Sequence, residues 1–245
     1  MKVKVLILAG GLATRLRPLT TNYPKILLEV GDRPFVYHQL RLLALNGFKR
    51  VELLLGFKGE LVESYIRDNE LEKLFNLKIT YLYDGPKLLG TGGAVKRSLD
   101  RDKGSDSSDM FVVLYGDSYL DYDYQKILNS LDKSCLALMT VYKNDDSFDS
   151  SNVVFKDGEI LVYDKKNKTQ EMKHIDWGFN IFHRDIFLSF HEIYQKEIFD
   201  LSEVFQFALK NNCLQGYEVN KRFYEIGSNQ GLQELKESKE LKELL

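Results

Sequence analysis

Three short runs rich in branched apolar residues, Val3 to Leu8, Arg50 to Gly56 and Leu77 to Tyr83, are separated by stretches whose apolar residues recur at helical spacing. Runs of this kind suit strands buried on both faces, and their alternation with helices confines the chain to an α/β fold with a largely parallel sheet. The first helical stretch is Pro34 to Asn46, stopped by Asn46-Gly47. The second is Gly59 to Glu72, with Leu61, Val62, Tyr65 and Ile66 on one face. Thr91 to Leu99 and Met110 to Tyr115 continue the rhythm as helix and buried strand, with Arg101 to Asp109 as a polar surface turn between them. The expected fold is α/β, Rossmann-like and doubly wound, on a mixed, mostly parallel sheet.

The second half reads as more antiparallel. Tyr124 to Leu131 predicts a helix and Cys135 to Tyr142 a strand, while Asn152 to Phe155 and Glu159 to Tyr163 flank Asp157-Gly158, a hairpin signal. Trp177 to Phe182 reads as a strand, Leu201 to Asn211 as a helix and Arg222 to Ile226 as a last short strand. The tail from Asn229 to Leu245 is a charged amphipathic helix. No repeat or long linker interrupts the 245 residues, so one domain over 1–245 is expected.

A formal net charge of -2 leaves no basic excess to neutralise a phosphate backbone, and no nucleic-acid partner is expected. Cys135 and Cys213 stand far apart and outside any C-x-x-C pair, which predicts small buried thiols in a reduced compartment. The apolar run at the start is too short for a signal peptide, and no later stretch approaches the roughly 18 uninterrupted apolar residues of a membrane helix. A cytoplasmic protein without membrane contact is expected. His38, His174, His183 and His191 show no metal-binding spacing.

Directly behind the first strand stands Ala9-Gly10-Gly11-Leu12-Ala13-Thr14-Arg15. Paired glycines let backbone N–H groups approach a phosphate closely, and a following helix end favours an anion. The loop satisfies neither the dinucleotide pattern G-x-G-x-x-G nor the Walker A pattern. Arg15 and Lys25 would together suit a compact polyanion such as a triphosphate, the arginine as a fork and the lysine as a point charge. The alternative is that both are ordinary solvated charges.

The segment LAGGLATRLRPLT, residues 8 to 20, followed by Pro24-Lys25, resembles the signature of the sugar-1-phosphate nucleotidyltransferases. Leu89-Gly90-Thr91-Gly92-Gly93-Ala94 is similar to that family's base-binding loop. Gly116-Asp117 and Phe223-Tyr224-Glu225-Ile226-Gly227 follow in order, so the resemblance spans residues 8 to 227. It implies transfer of a nucleoside monophosphate from a nucleoside triphosphate to a sugar 1-phosphate with loss of pyrophosphate. It also implies a nucleotide-binding part up to about residue 120 and a sugar-binding remainder, with the C-terminal helix from about residue 229.

The roles implied by the resemblance fall on particular residues. Arg15 and Lys25 are the catalytic cations, and Ala9, Gly10, Gly11, Gly90, Thr91 and Gly92 bind the nucleotide. Asp117 matches a Mg2+ ligand, and Glu225 stands where the family usually has a second metal-binding aspartate, with Asp121 and Asp123 as solvated neighbours or substitutes. On the sugar side the resemblance points to Lys165, Asp176 and Gly178, and to Asp164, although Asp164-Lys165-Lys166 departs from the family's E-K-P and Asp164 could equally be a surface charge. Asn152 stands where relatives often carry a glycine, and its amide would either read a sugar hydroxyl or cap a turn.

Asp84, six residues before Gly90, is either a turn former ahead of Gly85-Pro86 or a base reader; as an ionised carboxylate it only accepts hydrogen bonds, which suits guanine or cytosine better than uracil or thymine. That leans toward GTP, and the base loop also resembles that of guanylyltransferases acting on manno-configured heptose 1-phosphates. UTP with another sugar 1-phosphate, CTP with a non-sugar phosphate, and a non-catalytic nucleotide-sugar-binding subunit are the alternatives. Self-association into a homo-oligomer stays open.

Overall fold

The structure is a computed structural model that describes residues 3–11, 13–85, 87–102 and 109–242. The strands of the first stretch are β1 (Lys4–Ala9), the two-residue pair β2 (Glu29–Val30) and β3 (Arg33–Pro34), β4 (Arg50–Leu55) and β5 (Lys78–Tyr83). The helices among them are α1 (Phe35–Leu45), α2 (Gly59–Asp68) and α3 (Leu71–Phe75), followed by α4 (Gly90–Arg101). The predicted helix over Gly59 to Glu72 is therefore two helices. Asn69 closes the first, and Glu70, at φ 50°, turns the chain into the second.

Further on come β6 (Met110–Tyr115), β7 (Ser118–Tyr119), α5 (Tyr124–Ser130), β8 (Ala137–Lys143), β9 (Val153–Lys156) and β10 (Glu159–Tyr163). Asp157 and Gly158 between β9 and β10 both take positive φ, 52° and 88°, as a tight hairpin turn requires. The predicted strand Trp177 to Phe182 is displaced into β11 (His174–Asp176) and β12 (Phe179–His183), interrupted by Gly178 at φ 103°. The chain ends with α6 (Arg184–Tyr194), α7 (Leu201–Lys210), β13 (Leu214–Val219), β14 (Tyr224–Glu225), α8 (Asn229–Glu237) and α9 (Lys239–Lys242). The tail is thus two helices broken at Ser238. Most of the expected polar turn Arg101 to Asp109 lies outside the described residues.

Contacts divide the chain into two units. The first comprises Met1–Leu88, Leu114–Asp121 and Phe223–Leu245. Its sheet is parallel: β1 pairs with β4 from Lys4↔Arg50 to Ala9↔Leu55, and β4 with β5 from Arg50↔Lys78 to Leu55↔Tyr83. Val5, Leu6, Ile7, Leu53 and Leu55 are at most 1% exposed, as strands covered on both faces demand. α1 buries Phe35, Val36, Leu40 and Leu43, and α8 packs against β14 and β2 with Leu235 fully buried.

The second unit comprises Leu89–Val113 and Tyr122–Arg222. β8 is its hub: β11 and β12 flank it antiparallel, β13 pairs with it in parallel, and the β9–β10 hairpin extends the sheet beyond β11. Its core is aromatic. Phe111, Phe182, Phe187 and Phe205 contact one another with ring centroids 4.9 to 5.9 Å apart, and Phe190 meets Phe199 at 4.9 Å. Cys135 and Cys213 are free thiols, half-buried rather than fully buried as expected.

Candidate active site

Side chains at the carboxyl ends of parallel strands are where open α/β sheets assemble a ligand site. In the first unit the glycine loop leaves the carboxyl end of β1 and is pinned at three points. Ala13 turns through φ 47°, its carbonyl accepts hydrogen bonds from the Leu16 N–H at 3.1 Å and the Thr20 hydroxyl at 2.8 Å, and Leu16 is fully buried. Arg15, next to that apolar anchor, is exposed. Lys25 begins a second 3-10 turn, Lys25–Leu27, fixed by the buried Ile26 beside it. Both cations thus stand on short turns anchored by an apolar neighbour.

Asp117 follows β6 in the turn Gly116-Asp117. The Gly116 N–H donates to Leu8 O at 3.1 Å, and a Cβ at residue 116 would stand 2.3 Å from that oxygen, so only glycine permits this approach to β1. Lys25 Nζ donates to Asp117 Oδ2 at 2.5 Å, with the two side chains 21% and 26% exposed. The pair is charge-assisted and half-open, so each group stays accessible to a ligand.

β14 brings Glu225 to the same place from the far end of the sequence. Tyr224 and Glu225 pair antiparallel with Tyr119 and Ser118, and the Ile226 N–H donates to Asp117 O at 2.9 Å. The tail helix holds this strand. Ser228 caps α8, accepting from the Gly231 N–H at 3.0 Å, and the Tyr224 hydroxyl donates to Glu240 Oε2 at 3.0 Å. Above Gly227 the charges converge: the point a Cβ would occupy is 3.7 Å from Arg15 Nη2, 3.9 Å from Asp117 Oδ2 and 3.9 Å from Glu225 Oε2.

Two carboxylates facing one point form a hard-oxygen donor set that suits Mg2+, which takes one or two carboxylates and completes its shell with water and phosphate oxygens. Among the described residues no three His, Cys, Asp or Glu side chains gather into a larger metal cluster. Asp123 is engaged elsewhere: it caps α5, accepting from the Gln125 N–H at 3.1 Å.

Asp84 lies just beyond β5, its N–H donating to Leu55 O at 2.8 Å. Its Oδ2 stands 2.7 Å from where a Cβ on Gly10 would be, so the carboxylate overhangs the backbone of the glycine loop. Gly11 has nothing within 4 Å of its Cβ position and stays open. Ala9 is the last residue of β1, half-buried. The sequence places Asp84 only relative to Gly90; its place over Gly10 depends on the β4–β5 pairing.

In the second unit the Gly90–Gly93 segment opens α4 and presses on the residues ahead of α7. The Gly92 and Gly93 N–H groups donate to Phe199 O at 3.0 and 3.2 Å, and a Cβ at Gly92 would lie 2.4 Å from the Phe199 ring. The Thr91 hydroxyl donates to Asp200 Oδ2 at 3.0 Å and accepts from the Leu201 N–H at 2.8 Å. Phe199 and Asp200 were missed at the level of sequence, although Asp200-Leu201-Ser202-Glu203 is a legible capping box. Burial pushes the Asp200 carboxyl up, but hydrogen bonds from Ser202 and Thr91 and the Lys165 ammonium outweigh it and leave it below the usual carboxylate range.

The remaining candidates also belong to this unit. The Asp164 N–H donates to Asn152 O at 3.0 Å, so those two residues are neighbours, with Lys165 next in the chain. The exposed Asp164 carboxylate accepts from the Lys166 and Asn167 N–H groups at 2.7 and 3.0 Å, and hydrogen bonds with Asn167 first among them hold its pKa down. Asn152 Oδ1 accepts from the Asp176 N–H at 3.3 Å. Asp176 itself is 7% exposed, and its Oδ1 accepts from the Gly178 N–H and Asn180 Nδ2, both at 3.0 Å. Asn152, Asp164, Asp176 and Gly178 thus form one connected polar patch.

A parallel-sheet unit with a glycine loop behind its first strand, and two cations and two carboxylates on the turns and the short β7–β14 pair beside it, has the make-up of an α/β protein that handles a charged phosphate ligand. The chain belongs to the Nucleotidyl transferase family, whose profile matches residues 4–240. It is 31% identical over 226 residues to the D-glycero-alpha-D-manno-heptose 1-phosphate guanylyltransferase of Campylobacter jejuni, a match covering 92% of this chain and 95% of that one. Among solved structures it resembles HddC from Yersinia pseudotuberculosis complexed with GMP-PN, with a TM-score of 0.73, 26% identity and coverage of 96% and 98% of the two chains. It shares its fold with UDP-glucose pyrophosphorylase complexed with UDP-glucose, at a TM-score of 0.74, 17% identity and coverage of 96% and 97%. The expected fold class, a mixed and mostly parallel sheet with helices, is borne out, and the relatives are sugar-1-phosphate nucleotidyltransferases. Among the described residues no helix is long and apolar enough to cross a membrane.

Proposed function

We propose that this protein transfers guanylate from GTP to the phosphate of a manno-configured heptose or hexose 1-phosphate, releasing pyrophosphate and forming a nucleotide sugar in the cytoplasm. The observation that carries the reading is the convergence of Arg15, Asp117 and Glu225 above Gly227, with Lys25 bonded to Asp117. The name of the Campylobacter jejuni relative supports the choice of base and sugar.

In this reading the sugar phosphate oxygen attacks the α-phosphorus in line, so the protein supplies positioning and charge and no covalent nucleophile. The N–H groups of the Gly10-Gly11 loop hold the triphosphate. Lys25 neutralises the phosphates at the reacting centre, and Arg15 takes up negative charge on the departing pyrophosphate. Asp117 and Glu225 would hold Mg2+, which when bound neutralises triphosphate charge and withdraws electrons from the bond that breaks. Asp84 accepts hydrogen bonds from the N1–H and 2-amino group of guanine. Gly90, Thr91 and Gly92 contribute to the nucleotide side. Lys165 meets the sugar phosphate, and Asn152, Asp164, Asp176 and Gly178 contact the sugar. Residues up to about 120 then serve the nucleotide and the remainder the sugar, within one catalytic chain.

The test is pyrophosphate release across the four nucleoside triphosphates, each paired with a panel of sugar 1-phosphates and phosphocholine, with and without Mg2+. Fastest release with GTP and a manno-configured 1-phosphate, only with Mg2+, is expected. Release with CTP and phosphocholine alone would overturn the sugar assignment. No release with any pair would make the chain a nucleotide-sugar-binding subunit.

A further inference from the structure

Gln39, on α1, is 2% exposed and is tied to the turn that carries Asp117. Its Nε2 donates to Tyr115 O at 2.9 Å and to Ser118 O at 3.0 Å, the carbonyls on either side of Gly116-Asp117. The opposite amide orientation would set Oε1 against two carbonyl oxygens, so this one is fixed by chemistry. Its Oε1 is buried without a hydrogen-bond partner among the described residues. A methionine or leucine would leave no such orphan acceptor, so the amide is favoured here only for what it donates.

The clamp reaches both carboxylates. Asp117 lies between the two gripped carbonyls, and Ser118 is the strand partner of Glu225. We propose that Gln39 is a positioning residue that fixes the spacing of Asp117 and Glu225, and thereby sets the affinity of the site for a divalent cation. The inference rests on the reading of those two residues as cation ligands.

The experiment titrates the whole protein with Mn2+ in the presence of GTP, reading free Mn2+ by electron paramagnetic resonance against a matched titration of GTP alone, which itself binds Mn2+, alongside thermal melts. The variants are Gln39→Met, which keeps length and volume without a donor, and Gln39→Asn, which keeps the amide but shortens it. Gln215→Met is the control, because Gln215 likewise donates to a backbone carbonyl, Ser130 O at 2.9 Å, and accepts from the Asp132 N–H at 2.8 Å. Both Gln39 variants are expected to weaken Mn2+ binding at least tenfold, with the Mg2+ concentration for half-maximal pyrophosphate release rising in parallel and turnover recovering at high Mg2+. Gln215→Met is expected to lower the melting temperature with unchanged Mn2+ affinity. Wild-type Mn2+ affinity in folded Gln39 variants would overturn the clamp alone. A Gln39→Met chain too unstable to purify beside a folded Gln215→Met would overturn it too, making Gln39 a determinant of folding. A wild-type protein that binds no Mn2+ would instead remove the cation reading on which the clamp rests.

Discussion

Arg15, Asp117 and Glu225 come from three distant parts of the chain and meet above Gly227, so in the proposed reading Arg15 faces phosphate oxygens directly and the two carboxylates only by way of a bound Mg2+. Arg15 is exposed, whereas Leu16 beside it is fully buried. Arg15→Ala is therefore expected to keep the melting temperature while lowering turnover by at least about a hundredfold, the usual consequence of removing a preorganised donor worth about 2.7 to 4 kcal/mol of barrier. Steady-state kinetics beside a thermal melt separate the two effects, and near-wild-type turnover would take Arg15 out of the chemistry. Asp84→Asn offers a donor and an acceptor in place of two acceptors. It is expected to lower kcat/KM for GTP relative to UTP, read from competing nucleotides in one reaction.

At the scale of elements, glycines fix how strand ends approach one another. Gly116→Ala places a Cβ 2.3 Å from Leu8 O, between β1 and the Asp117 turn. Overpacking of this kind costs about 1–3 kcal/mol and, in a chain of this size, about 2–4 °C of melting temperature per kcal/mol. Activity is expected to fall with it, because Asp117 is the next residue. Asp200 tests the α4–α7 contact through pH. Its folded pKa lies below the ordinary value, so its charge stabilises the folded state above about pH 4 and loses that effect as pH falls through the folded value. Asp200→Asn keeps a capping side chain but no charge; its deficit in melting temperature should be full at pH 7 and close as the pH falls through the lowered folded value.

The same elements show what was legible in the sequence. The strands β1, β4, β5 and β6 are legible in the sequence nearly to the residue, because runs buried on both faces leave unbroken apolar stretches. α6 and β13 escaped notice. In α6 the helical spacing of Ile186, Phe187 and Phe190 is blurred by the exposed Leu188 and Ile193, and β13 alternates weakly around Gly216 and Glu218. Arg15, Lys25, Asp117 and Glu225 were named from motifs, yet their convergence depends on β14 pairing with β7, a contact between residues far apart in the chain. Gln39 carries no motif, and only the folded turn gives it partners.

For the whole molecule, a ligand that binds only the folded state stabilises it by mass action. Mg2+ and GTP at a hundredfold excess over the dissociation constant should contribute about 2.7 kcal/mol, a rise on the order of 5 to 10 °C in melting temperature. The rise should shrink in Lys25→Ala and in Asp117→Asn. Nucleotidyl transfer requires attack at the α-phosphorus, and the position of attack can be read from label. The most direct measurement incubates the protein, Mg2+ and a manno-configured heptose 1-phosphate with GTP labelled at the α-phosphorus, and in parallel at the γ-phosphorus. The α label is expected in the nucleotide sugar and the γ label in pyrophosphate, in equal amounts. Label from the γ-phosphorus in the sugar or in free phosphate would contradict it.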